Sequence, residues 1–159
     1  MDFFSISQGD DMFKRILVAV DGSDTSEHAL TQAMDLARSH GAQLLVLHVV
    51  EEVFLNVGEE IVDPRALWQA LAAGGKKTLE RYAEQVRGAG LGAESRLIEL
   101  RDLSETVAGS IVNEAESWGA DLIVLGTHGR RGWRRLLLGS TAEEVARLAK
   151  APVLLIRKP

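Results

Sequence analysis

An α/β fold, with one doubly wound five-stranded parallel sheet and helices on both faces, follows from two observations. Short apolar runs rich in branched residues alternate along the chain with segments whose apolar residues recur every three or four positions. Most of these runs are apolar throughout, as strands covered on both faces require. A length of 159 residues fits one domain, and a 46% hydrophobic content can fill its core.

The elements read in order. "RILVAV" (15–20) is a buried strand. A helix starts near Asp24, capped by Ser23 or Asp24, with Leu30, Ala33, Met34 and Ala37 on one face; Gly41 ends it. "AQLLVLHVV" (42–50) is the second strand, and 51–63 is a loop. A long helix carries Leu67, Leu71, Leu79, Tyr82 and Val86, with Trp68 at the edge of the stripe. Gly74-Gly75 weakens its middle and predicts a break or kink. "AESRLIEL" (93–100) alternates, as a strand with one exposed face does. Ser104 is the expected cap of a helix carrying Val107, Ile111, Ala115 and Trp118. "DLIVLG" (121–126) is the fourth strand. A helix from about Ser140 carries Ala142, Val145, Ala146 and Ala149, and "PVLLIR" (152–157) is the last strand.

Composition narrows the function. The absence of cysteine excludes a disulfide framework, a thiolate zinc site and thiol catalysis, and is compatible with a cytoplasmic protein. No apolar run reaches the roughly 18 residues of a membrane helix. Residues 1–12 lack the basic end and apolar stretch of a secretory signal and are expected to be a disordered extension. A net charge of −5 argues against general nucleic-acid binding. Yet residues 126–159 hold eight Lys and Arg against Glu143 and Glu144. A basic island on an acidic chain suits a compact anion or is simply a solvated surface.

That island contains "GTHGRRGWRRLLLGST" (126–141). Gly126 and Gly129 bracket a turn leaving a strand, where glycine permits positive φ and close approach of a ligand. Gly139-Ser140 opens a helix, whose unpaired N–H groups and partial positive charge favour phosphate. The arginines can add charge-assisted hydrogen bonds. Ser140 and Glu143 also have the spacing of a capping box, which needs no ligand. Neither a Walker loop nor a Gly-x-Gly-x-x-Gly fingerprint is present.

The spacing Gly126-x2-Gly129-x9-Gly139-Ser140 resembles the nucleotide-binding signature of the universal stress protein family, in its ATP-binding branch. "ILVAVDGSDTSEHAL" (16–30), "LLVLHVV" (44–50) and "APVLLIRK" (151–158) are similar to other blocks of that family. The resemblance covers residues 13–159 as one domain. It implies a Rossmann-like sheet of the adenine nucleotide alpha-hydrolase type, in the order 3-2-1-4-5. It also implies a role for each matching position. Asp21 would bond a ribose hydroxyl, and Ala19 and Val49 would lie by the adenine. Gly126 would sit near the ribose, and Thr127, His128 and Gly129 would form the turn by the phosphates. The backbone of Arg130, Arg131 and Gly132, with Gly139, Ser140 and Thr141, would hold the phosphate chain. Magnesium or manganese would ride on the phosphates. Alanine at Ala19 stands where members often have proline.

Other residues have plainer readings. Asp21-Gly22 is also a turn signal. His128 is either an acid or base or a loop histidine bonding backbone. His48 is read as structural, and His28 and His40 as solvent-facing. No two histidines have metal-ligand spacing. Trp133 covers phosphates, meets a partner or packs on its own loop. The apolar run Val153–Ile156 on an edge strand is an aggregation hazard unless covered. A two-fold partner pairing the same strand would cover it. The resemblance, to a family that usually dimerises this way, implies a homodimer through 152–157. Three functions remain open: an ATP-dependent regulatory module of the stress response, a slow ATP hydrolase or phosphotransferase, and a nucleotide-independent interaction protein.

Overall fold

The computed structural model describes residues 12–51, 63–102, 104–128 and 138–157. Strands and helices alternate strictly: β1 (Arg15–Val20), α1 (Asp24–His40), β2 (Gln43–Glu51), α2 (Pro64–Gly88), β3 (Ala93–Leu100), α3 (Val107–Trp118), β4 (Leu122–Gly126), α4 (Ser140–Leu148) and β5 (Val153–Ile156). Every neighbouring pair of strands is parallel, in the order β3-β2-β1-β4-β5. The predicted order is thus present, with β3 and β5 at its edges. The expectations for residues 1–11 and for most of the 51–63 loop lie outside the described residues.

Strand side chains alternate between faces, which divides the core in two. Ile16, Val18, Val20, Leu44, Val46, Leu122 and Val124 pack under α1 and α2, against Leu30, Ala33, Met34, Leu79, Tyr82 and Val86. Leu17, Leu45, Leu47, Ile123 and Leu125 pack under α3 and α4, against Ile111, Ala115, Trp118, Ala142 and Val145. Each large apolar side chain fully buried in this way contributes about 1.5–3 kcal/mol. The ends of α1 are as expected: Ser23 Oγ accepts from the Ser26 amide, and Gly41 takes the left-handed conformation at φ 61°. A side-chain in that conformation would be strained, so glycine belongs there.

Five local expectations are corrected. Helix α2 runs continuously through Gly74-Gly75. Gly75 is there for proximity: a Cβ on it would overlap Val50 Cγ2 and lie 3.3 Å from His48 Cδ2. Trp68 is buried at 7% exposure, with the Arg101 guanidinium 4.7 Å from its ring, whereas Leu67 is only half-buried. The cap of α3 is Thr106, whose Oγ1 accepts from the Gly109 amide at 3.0 Å. Ser104 instead donates its amide to Asp102 Oδ1 at 2.9 Å in the preceding turn, and that bond holds the Asp102 carboxyl below its usual range. In α4, Ala142 and Val145 are buried but Ala146 is exposed. His28 is exposed, while His40 is half-buried beside Phe13, its Nδ1 3.0 Å from the Leu36 carbonyl oxygen.

The two α2 glycines therefore predict opposite responses. A Cβ on Gly74 meets nothing within 4 Å, so Gly74→Ala should gain the helix propensity of alanine, roughly 0.5–1 kcal/mol. Gly75→Ala should lose about 1–3 kcal/mol, because the branched Val50 side chain is buried and cannot swing away. Urea unfolding of the two variants checks both signs.

Candidate functional site

All five strands point their carboxyl ends at one pole of the molecule, and strand order reverses between β1 and β4. In open parallel sheets ligands bind there. A cleft of about 560 Å³ opens at this pole. Its floor is made by the strand ends, and α3 contributes Val107 and Ile111 to one wall. Every helix of a parallel α/β fold starts at this pole, so the positive ends of α1, α3 and α4 gather around the cleft.

Ala19, Asp21, Val49, Gly126, Thr127, His128, Gly139, Ser140 and Thr141 all line this cleft. The chain folds these nine from four separate segments into one wall. Gly129, Arg130, Arg131 and Gly132, like Trp133, lie outside the described residues.

Asp21 shows its turn role directly: its Oδ1 accepts from the Ser23 amide at 2.9 Å, across Gly22 at φ 84°. The same carboxylate faces the cleft. Thr127 is 4% exposed and its backbone is committed to structure. Its amide donates to the Ile156 carbonyl at 2.8 Å, and its carbonyl accepts from the Gly139 amide at 2.8 Å. The Gly139 amide is therefore not a donor for a ligand, unlike the role expected of it. The first-turn donors without an intrahelical acceptor are the amides of Ser140, Thr141 and Ala142.

Two expectations about this segment change. Gly139, not Ser140, is the N-cap of α4, and no side chain caps the helix there. The Ser140–Glu143 capping box is thus not formed; the Glu143 amide bonds the Gly139 carbonyl at 2.9 Å instead. Gly126 and Gly139 also do not use positive φ. They are glycines because there is no room for anything larger. A Cβ on Gly126 would come within 2.9 Å of Thr25 Cβ and Oγ1, and one on Gly139 within 3.0 Å of the Thr127 carbonyl oxygen.

The histidines separate clearly. His48 is 4% exposed, and its Nδ1 donates to the Val20 carbonyl at 2.6 Å. That bond ties the ends of β1 and β2 together, a structural role as read from sequence. His128 Nδ1 lies 3.0 Å from Thr127 Oγ1. Its Nε2 is buried without a hydrogen-bond partner. A buried polar atom left unpaired is costly, and among the described residues Arg15 Nε and Trp68 Nε1 share that state. Among the described residues no group of three His, Asp or Glu is arranged to hold a metal ion.

Thr25 is the residue that sequence reasoning missed. Its Oγ1 donates to the His128 carbonyl. Only its place in the first turn of α1, far from 126–128 in sequence, hinted at it. Val107 and Ile111 were read as core positions, and they also form cleft wall.

An open five-stranded parallel sheet with a cleft over its switch point, ringed by helix N-termini, defines a Rossmann-like α/β protein. Residues 12–157 match the model of the universal stress protein family, and the chain belongs to that family. A universal stress protein of Methanocaldococcus jannaschii is 32% identical over 155 residues, covering 97% of this chain and 88% of the relative. The crystal structure of a family member from Burkholderia pseudomallei superposes with a TM-score of 0.73 at 34% identity, covering 92% of this chain and 97% of that one. A universal stress protein from Archaeoglobus fulgidus in complex with dAMP superposes at 0.62 with 27% identity, covering 91% and 98%.

The packing account of the glycines predicts that Gly126→Ala lowers the unfolding free energy by about 1–3 kcal/mol, in protein free of any ligand. Equal urea midpoints for Gly126→Ala and wild type would return Gly126 to a purely ligand-facing role.

Proposed function

We propose that this protein binds an adenine nucleotide, ATP with magnesium or manganese, in the cleft, and that occupancy regulates a stress-response function. The observation that carries the reading is that nine residues expected to touch the nucleotide line one cleft. A nucleotide complex of a relative in the same fold supports the base and sugar end: the Archaeoglobus fulgidus protein holds dAMP. The phosphate end is supported by chemistry on this chain. The N-terminus of α4 lacks a side-chain cap, and the unpaired His128 Nε2 lies in the same wall. Ala19 and Val49 offer apolar surface to a base, and Asp21 a carboxylate to a ribose hydroxyl. The metal would be carried by the phosphates, whose oxygens supply the hard ligands that it prefers. A nucleotide shifts a conformational equilibrium only if two states bind it differently.

Slow hydrolysis is the second reading, and His128 is the observation that favours it. An imidazole nitrogen unpaired at the phosphate end is a candidate acid or base. The nucleotide recovered from purified, denatured protein separates the readings: intact ATP for a switch, ADP or AMP for turnover. Calorimetry with magnesium and ATP should give a stoichiometric isotherm. Asp21→Ala should weaken it roughly 10- to 100-fold, the cost of a hydrogen bond to a charged group. An isotherm flat for wild type would leave the interaction-only reading.

The homodimer belongs to the same proposal. Val153–Ile156 is a half-buried apolar edge strand. Among its residues, Pro152 and Ile156 turn their carbonyls to β4, so Val153 and Leu155 present backbone groups to the open side. A second copy pairing there would satisfy them. Light scattering should give twice the 17.3 kDa chain mass. Leu155→Pro removes one outward N–H, which an edge strand tolerates, and should give a folded monomer.

A further inference from the structure

Thr25 sits where α1 starts, outside the turn that carries the glycines, yet it touches that turn in two ways. Its Oγ1 donates to the His128 carbonyl. Its Cβ and Oγ1 also fill the space that a side chain on Gly126 would need, 2.9 Å from that position. The hydroxyl is held in turn: Ser23 Oγ lies 3.1 Å from it. Ser23 also caps α1 and gives its amide to Asp21 Oδ1 at 2.9 Å.

These bonds form one line from Asp21 through Ser23 and Thr25 to His128. Asp21 stands at the end of β1 and His128 just beyond the end of β4, the two strands flanking the switch point. The line therefore ties the end of β1 to the turn that leaves β4. We infer that Thr25 is a positioning residue for the phosphate end of the bound nucleotide, acting through the His128 carbonyl; the inference rests on the nucleotide reading above. Thr25 is not among the residues lining the cleft, so its effect must pass through the turn. Loosening the turn moves the His128 imidazole and leaves the base wall, Ala19 and Val49, in place. The chemistry that follows is selective: Thr25 discriminates between nucleotides by their phosphates and is indifferent to the nucleoside.

Three proteins test this: wild type, Thr25→Val and Thr25→Ser. Valine keeps the packing volume against Gly126 and removes the hydroxyl; serine keeps Cβ and hydroxyl. Calorimetry with ATP and with adenosine should show Thr25→Val losing about tenfold in ATP affinity with adenosine changed less than twofold. Thr25→Ser should stay within twofold of wild type for both. Amide hydrogen exchange in the nucleotide-free proteins should quicken over 126–128 in Thr25→Val only. Unchanged ATP affinity in Thr25→Val, equal losses for ATP and adenosine, or a serine variant that behaves as valine would overturn the inference. If wild type binds no ATP, the nucleotide reading fails and takes this one with it. Exchange over 126–128 then still reports whether the Thr25 bond holds the turn, which tells the two failures apart.

Discussion

Everything at the functional pole depends on one steric constraint: three backbone segments meet where only glycine fits. The end of β4 at Gly126 lies against Thr25 in the first turn of α1, and the start of α4 at Gly139 lies against the carbonyl of Thr127. The Gly139 amide closes the contact on that carbonyl at 2.8 Å, and the Thr127 amide ties the same residue to β5 at 2.8 Å. A Cβ at either glycine would push a helix N-terminus away from the sheet. The positive ends of α1 and α4 would then no longer point into a common space. The cleft is a consequence of this close packing, and its attraction for an anion is a consequence of the cleft.

The opposite pole is fastened by different means. The Asp121 carboxylate accepts the Lys14 amide at 2.7 Å and the Arg15 amide at 3.1 Å, which locks the start of β1 to that of β4. The Arg15 guanidinium lies 4.4 Å from the Trp118 ring centre, and the Trp118 indole donates to Glu94 at 3.0 Å. That indole bond, with Arg96 beside it, holds the Glu94 carboxyl below its usual range. Most of these polar groups bond one another, although Arg15 Nε is buried without a hydrogen-bond partner. At the cleft pole no side chain caps the first turn of α4, which leaves its backbone donors for a ligand. A further polar contact, Ser26 Oγ with the Tyr82 hydroxyl at 2.9 Å, joins α1 to α2 along the side of the sheet; burial pushes the Tyr82 hydroxyl up from its usual pKa.

What could be read from sequence follows how local each signal is. The strands were legible because "RILVAV" and "LLVLHVV" are apolar without interruption, and helix α1 because its cap, stripe and terminal glycine are contiguous. The site positions were legible through the resemblance, since their spacing survives in one dimension. Most of the failures involve a partner distant in sequence. Gly75 looked like a helix breaker because nothing local announces Val50 beneath it. Gly126 looked like a positive-φ turn residue, when Thr25 excludes a side chain there. The cap of α3 was misplaced because Ser104 and Thr106 are equally good candidates until Asp102 engages Ser104. Thr25 carried almost no signal beyond its place in the first turn of α1, because its bond to His128 joins residues far apart in the chain.

The composition of the cradle also bears on what a bound nucleotide would undergo. Helix amides bind a phosphate in its ground state about as well as in a transition state of similar charge, and such uniform binding lowers no barrier. Acceleration would need a group that engages only as the bond to phosphorus breaks or that orients water. Among the described residues, the two carboxylates lining the cleft are Asp21 and Glu51. Asp21 is bonded to the Ser23 amide beside β1, and Glu51 is the last residue of β2, one strand further from the α4 terminus. Neither stands at the phosphate end that α4 and His128 define. If the proposed nucleotide binds here, a site of this construction would hold it and change it slowly, as a switch read by its occupancy requires.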